Sequence, residues 1–202
     1  IAEREGSYSG TLIDFLNDLA GRLAETRPDI RLVSSAYQFT KRAPKTLRPR
    51  DNVVIGLHLL DREYRADELA DVLRPITAPT NLEARQITEG WMSVLSGRQF
   101  LAGDYAQFRL PFRHPYDATA KIMRNLDYWH ALGIRHVWIE QAGIDLSFRP
   151  MRDWLFLRKT VKPELDNDRL VSEFMSAYFG PAAAPMRRYY DLLVAGTVSG
   201  DK

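Results

Sequence analysis

The 202-residue sequence contains no cysteine, which excludes a disulfide scaffold, a zinc knuckle, an iron–sulfur site and a thiol nucleophile. The absence leaves the compartment open. No apolar run approaches the ~20 residues of a membrane span, and no signal peptide is visible. An excess of charge is missing too: 28 Lys and Arg face 26 Asp and Glu, for a net charge of +2, so there is no basic footprint for nucleic acid. No Gly-x-Gly-x-x-Gly or phosphate loop follows any apolar run, which argues against a nucleotide cofactor. No His-x-x-His or His-Glu-x-x-His spacing occurs, so neither a zinc site nor any other metal centre is expected. Ser34-Ser35 lacks the Gly-x-Ser-x-Gly elbow that would make a serine nucleophilic. Internal repeats and low-complexity tracts are absent. The chain starts at Ile1 rather than Met, so a processed N-terminus or an excerpt is expected, and an export signal would have gone with the lost part.

What is present is the composition of a globular protein, 45% hydrophobic and 27% charged, with enough length for one substantial core or two small ones. Leu12, Ile13, Phe15, Leu16, Leu19, Ala20 and Leu23 recur at helical spacing, with Ser9 as the expected N-cap and Pro28 beyond the end. A strand is predicted over Ile30–Phe39. The loop Lys41–Asp51 holds two prolines and five basic residues; it reads as a solvated connection, with an arm for an anionic ligand as the alternative. Val53 to Leu60 is a nearly continuous apolar run, the mark of a strand covered on both faces. Helices are predicted from about Ala66 to Leu73 and from Asn81 to Gly97, a third strand over Gln99–Tyr105, and a helix capped by Asp117 and stopped by Gly133. Ile134–Glu140 is the fourth strand. Three helices then follow without strands, over Pro150–Val161, Asp168–Phe179 and Ala182–Leu193. Alternation of this kind predicts sequential parallel strands joined by right-handed crossovers. A small open sheet and half of an eight-stranded (β/α)₈ barrel satisfy it equally.

In parallel α/β folds function gathers at the carboxyl ends of strands. Those ends carry Tyr37, then His58 and Asp61, then Asp104 and Tyr105, then Glu140. Carboxylates and tyrosines together suit a polyhydroxylated ligand: the acids accept hydrogen bonds from sugar hydroxyls and can protonate a glycosidic oxygen, and the rings cover the apolar face of a pyranose. Asp104 and Glu140 are the candidate catalytic carboxylates. Tyr37, Tyr105, Asp61 and Trp138 are candidate substrate contacts, although Asp61 sits in a charged Asp61-Arg62-Glu63 cluster that reads more readily as solvated loop. Trp138 shares Glu140's side of its strand and is expected to wall a pocket. His58, inside an apolar run, reads as a core residue, and His136 as facing the helices; His114 and His130 are isolated. Trp91, Trp129 and Trp154 fall on apolar helical stripes and read as core. Asp104, Tyr105 or Tyr37, and Glu140 are expected to converge at one mouth of the sheet.

The strand ending Ala36-Tyr37, the Gly103-Asp104-Tyr105 strand end, and Trp138-Ile139-Glu140 after the Leu132-Gly133-Ile134 turn resemble a group of large, mostly uncharacterised bacterial proteins with glycoside-hydrolase-like (β/α)₈ barrels, related in architecture to α-glucuronidases and β-hexosaminidases. Asp168 to Phe174, Tyr178-Phe179-Gly180, Ala182-Ala183 and Tyr189-Tyr190 are similar to the helical region that follows the last barrel strand in that group. The resemblance covers roughly Tyr8 to Leu193. It implies that residues 1–148 are the C-terminal half of a TIM-type barrel and that 149–195 form a helical segment packed on it; the tail 196–202 reads from its own residues as frayed. It also implies that an acidic residue on an earlier barrel strand lies outside this chain. Where the group has a cysteine-containing segment after the second of these strands, this chain reads Leu59-Leu60-Asp61-Arg62.

The expected function is therefore that of a carbohydrate-active barrel module, a glycoside hydrolase acting on a bacterial, plant or host glycan, in a periplasmic or extracellular setting. The rival is a non-catalytic carbohydrate- or protein-binding scaffold, and a third reading is an unrelated open-sheet domain. Half a barrel leaves two strand edges unpaired. An upstream segment of the same polypeptide, or another chain, is expected to complete it.

Overall fold

A computed structural model describes residues 1–59, 74–106, 117–140 and 148–198. The elements run α1 (Ala2–Glu5), α2 (Ser9–Thr26), β1 (Leu32–Ala36), β2 (Val53–Leu57), α3 (Leu82–Met92), β3 (Phe100–Tyr105), α4 (Thr119–Ala131), β4 (His136–Glu140), α5 (Arg149–Val161), α6 (Asn167–Phe179) and α7 (Ala183–Val198). The strands form one sheet in the order β1-β2-β3-β4, and all are parallel. This is the sequential parallel arrangement predicted, part of a TIM-type barrel followed by helices. The helix expected near Ala66–Leu73 lies outside the described residues.

The described residues fall into two compact units. The first contains α1, α2, β1, β2, α3 and residues 100–104 and 136–139 of the last two strands; the second contains α5, α6, α7 and most of α4. In the first unit every residue of β2 is buried, as the run of short apolar side chains requires, and Ile13, Leu16, Ala20, Trp91 and Phe100 complete its core. Phe15, counted in the apolar stripe of α2, is instead 63% exposed. Ser9 does not cap α2 but is its first helical residue, and its hydroxyl donates to the Arg42 carbonyl. β1 is shorter than predicted. The Thr40 hydroxyl accepts the Tyr37 N–H, Gln38 takes φ 46°, and residues 38–40 form a 3₁₀ turn where apolar Tyr37 and Phe39 suggested more strand.

In the second unit the Asp166 carboxylate caps α6 by accepting the Arg169 N–H. Asp127 of α4 accepts from Lys159 of α5 (2.6 Å) and from Asn167 of α6 (2.7 Å), so one carboxylate ties three helices together. Met151, Leu155, Leu170 and Met175 are fully buried beside them. Tyr178 is 60% exposed and stacks on Phe174 at 4.9 Å. α7 continues to Val198, through the Gly196 at which the sequence suggested fraying.

The 41–51 loop is held from below. Glu5, 1% exposed, accepts hydrogen bonds from the Thr46 N–H (2.7 Å), the Thr46 hydroxyl (2.6 Å) and the Leu47 N–H (3.0 Å), while its own carbonyl accepts the Lys45 N–H. Asn17 of α2 clamps the next turn, donating to the Arg48 carbonyl and accepting the Arg50 N–H. The Trp91 indole donates to the Lys41 carbonyl. The basic side chains face outward, but the backbone of this connection is fastened rather than merely solvated. The hydrogen bonds from Thr46 and Leu47 favour the ionised acid and pull the Glu5 carboxyl down from 4.5 to about 2. Because the folded-state pKa is depressed, this contribution to stability is fully present above pH 4.5 and is lost as pH falls toward 2. Glu5→Gln, which keeps the shape without the charge, is expected to melt lower than the parent at pH 7, with the gap shrinking steadily from pH 4.5 to pH 2. Thermal unfolding followed by circular dichroism across that range is the check, and a gap independent of pH would remove the carboxylate from this role.

Candidate functional site

Register decides which strand residues share a face. Val33 pairs with Val54 and Ser35 with Gly56, and Gly56 pairs with Leu101. Alternation then adds Tyr37, His58 and Gly103 to this face. Val33 is 66% exposed and Tyr37 37% exposed, so the β1 end of the face is open. The other face carries Ala36, Ile55, Leu57, Phe100 and Ala102, all buried in the core.

On the open face three rings lie in a row. The His58 imidazole is 6.0 Å from the Tyr37 ring and 5.0 Å from the Trp138 ring, centroid to centroid. Its Nε2 is hydrogen-bonded to the Ser35 hydroxyl at 3.2 Å. The Trp138 indole lies against the backbone of Gly103, so close that a Cβ there would fall 2.3 Å from the ring. Glycine is therefore the residue that lets the indole come this close to β3. The row sets rings tilted at 65° and 48° to their neighbours beside a hydroxyl and an imidazole able to exchange hydrogen bonds.

The structure brings Tyr37 and Trp138 together through His58. It places Asp104 elsewhere: one residue beyond Gly103, it falls on the side of Phe100 and Ala102, and it is 7% exposed. Tyr105 is 6% exposed, and its carbonyl accepts the Lys121 ammonium at 2.9 Å. Glu140 ends β4 with its side chain exposed, and its carbonyl accepts the Ala106 N–H. Asp61 lies outside the described residues, as does His114.

Ser35, which bonds the central ring of the row, was not singled out from sequence as a site residue, and His58, though it stands among the strand ends, was read as core. His58 reads as core because an apolar run surrounds it, yet β2 ends at Leu57 and the ring projects half-buried just past the strand. The signal available was spacing: Ser35 and Tyr37 are two apart, so they share a face on any strand. His136 is exposed rather than turned toward helices, and the His130 ring meets the Arg135 guanidinium at 2.8 Å. Trp91 and Trp129 are buried as expected, and Trp154 is half-buried. Among the described residues no three His, Asp or Glu side chains gather as a metal site would need.

Gly103→Ala is expected to displace the indole and destabilise the fold by about 1–3 kcal/mol, the usual range for overpacking. Gly56→Ala on the same face should cost less, because its Cβ would meet neighbours only at 3.6 Å and beyond. Urea unfolding of the two variants side by side checks the difference, and equal losses would show that the indole does not need the glycine.

Residues 1–191 match the family model described as "Domain of unknown function (DUF4838)". No curated protein matches the chain, and no solved structure does.

Proposed function

We propose that this chain, which belongs to the DUF4838 family, is a carbohydrate-active barrel module that seats a glycan on the face carrying Tyr37, His58 and Trp138. Its parallel α/β fold is a scaffold of the enzyme or binding kind. The observation that carries the glycan reading is the aromatic row resting on Gly103. Flat rings with a hydroxyl and an imidazole alongside match the two sides of a sugar, C–H on its face and O–H at its edge.

As a glycoside hydrolase the module would use Glu140 as its acid, since that side chain is exposed whereas Asp104 sits on the core side of β3. Hydrolysis needs a second carboxylate, at about 5–5.5 Å for retention or about 6.5–9.5 Å for inversion. Among the described residues of the first unit, the face of the row holds none. That observation favours a second reading, in which the module binds glycan without cleaving it unless further strands supply the partner acid. β1 is one edge of the sheet and β4 the other, and in this reading both edges pair with an upstream segment of the same polypeptide or with another chain.

Screening the chain against an oligosaccharide panel tests the proposal. Trp138→Ala should weaken whatever binding is found by about tenfold or more, while Asp104→Asn should leave it nearly unchanged. If the parent turns a glycoside over, Glu140→Gln should abolish turnover and spare binding. Full affinity in Trp138→Ala would sink the glycan face. Light scattering addresses the edges: residues 1–202 alone are expected to self-associate, and a monomer with one sharp unfolding transition would show that they need no partner.

A further inference from the structure

The aromatic row of the first unit ends at Tyr37, and the chain does not stop offering rings there. The Tyr8 ring, just before α2, meets the Phe39 ring, just after β1, edge to face at 5.9 Å. This is the carboxyl end of β1, the end at which sites gather in parallel α/β folds. Both rings are open to solvent, Tyr8 63% and Phe39 70% exposed. With Glu3, Ser7, Gln38 and Arg42 they line a cavity of about 510 Å³, within the size range of small-molecule sites.

Hydrogen bonds fix the walls of this cavity. The Ser7 and Ser9 hydroxyls both donate to the Arg42 carbonyl, and the Arg42 guanidinium is paired with Glu83 at 2.6 Å. Gln38 takes φ 46°, a left-handed conformation uncommon for a residue other than glycine. The Thr40 N–H donates to the Tyr37 carbonyl at 2.9 Å and the Lys41 N–H to the Gln38 carbonyl at 3.1 Å, which holds the turn in place. Strain of this kind persists where its surroundings over-determine it, and it clusters where ligands are clamped. Here it sets the Gln38 amide and the Phe39 ring on one cavity, directly after Tyr37. The rings offer apolar surface, and the amide both donates and accepts. Glu3 offsets Lys41 in the lining, and Glu83 offsets Arg42, so the charges balance and an uncharged sugar fits the field.

We propose that this cavity is a second sugar subsite, and that the glycan taken up is a neutral oligosaccharide. Its chain passes Tyr37 and lays a further sugar against Phe39 and Tyr8, with a hydroxyl on the Gln38 amide. The inference rests on the glycan reading, in which the face of Tyr37, His58 and Trp138 holds the first sugar.

Cello-, xylo-, manno- and chito-oligosaccharides of one to five sugars are the probes, titrated into the 202-residue chain and followed by amide chemical shifts. In the ladder that binds, affinity is expected to rise about tenfold from monosaccharide to trisaccharide, the scale of one aromatic contact. Phe39→Ala, at an exposed position, should abolish that rise and leave the monosaccharide affinity unchanged. Trp138→Ala should weaken every length. Glycine accepts the Gln38 φ without strain, so Gln38→Gly should melt no lower than the parent and still lose most of the rise. Equal affinity along the ladder, or a full rise surviving in Phe39→Ala or in Gln38→Gly, would overturn the subsite and leave the glycan face standing. No binding in any ladder, or full affinity in Trp138→Ala, would overturn the glycan face and the subsite with it.

Discussion

Parallel pairing of β1, β2 and β3 in a single register is the constraint from which the rest follows. Once Ser35 lies beside Gly56 and Gly56 beside Leu101, the side-chain period of two assigns every strand residue to one face or the other. The apolar set Ile55, Leu57, Phe100 and Ala102 goes to the core, and whatever alternates with it faces the other way. That is why Asp104, at a strand end beside residues of the open face, is nonetheless a core-side acid, and why an indole can rest where Gly103 has no side chain. The chemistry available on each face is a by-product of burying the other.

Packing and hydrogen bonding divide the remaining labour differently in the two units. In the first, apolar β2 and α2 supply the core, and a carboxylate at Glu5 with an amide at Asn17 supplies the ends of backbone that a loop would otherwise leave to water. In the second, helices supply everything, and one acid, Asp127, joins three of them. Glu5 is a buried carboxylate placed where several hydrogen bonds meet, which is where a buried charge is tolerated, whereas the Asp127 side chain is 44% exposed and holds the buried Lys159. Phe148 adds a third device. It opens α5 with φ 58°, a left-handed conformation costly for a bulky residue, and rings of Phe179, Tyr189 and Tyr190 at 5.4–6.2 Å surround it.

Much of this was legible in the sequence, and the gaps have physical causes. Alternating apolar runs mark all four strands, and the unbroken run from Val53 marks the one covered on both faces, because burial on two sides removes the polar alternation. Strand ends were less legible: Tyr37 and Phe39 are as apolar as any strand residue, and a single hydroxyl, on Thr40, turns the chain. Reading the carboxyl ends of strands as one cluster gathered Tyr37, Trp138 and Asp104 alike, since proximity to a strand end says nothing of face until register is known. Glu5 was invisible. It is one acid in Ala-Glu-Arg-Glu, and its partners begin 41 residues later.

That separation bears on how the chain assembles as it is made. A ribosome adds about 5–20 residues per second, so Glu5 waits several seconds before Thr46 has been synthesised. The clasp draws the segment that contains β1 into a closed loop of about forty residues. With its two ends joined, the loop leaves β1 little freedom to wander, and β2, which follows Thr46 closely in the chain, is held near the edge it pairs with.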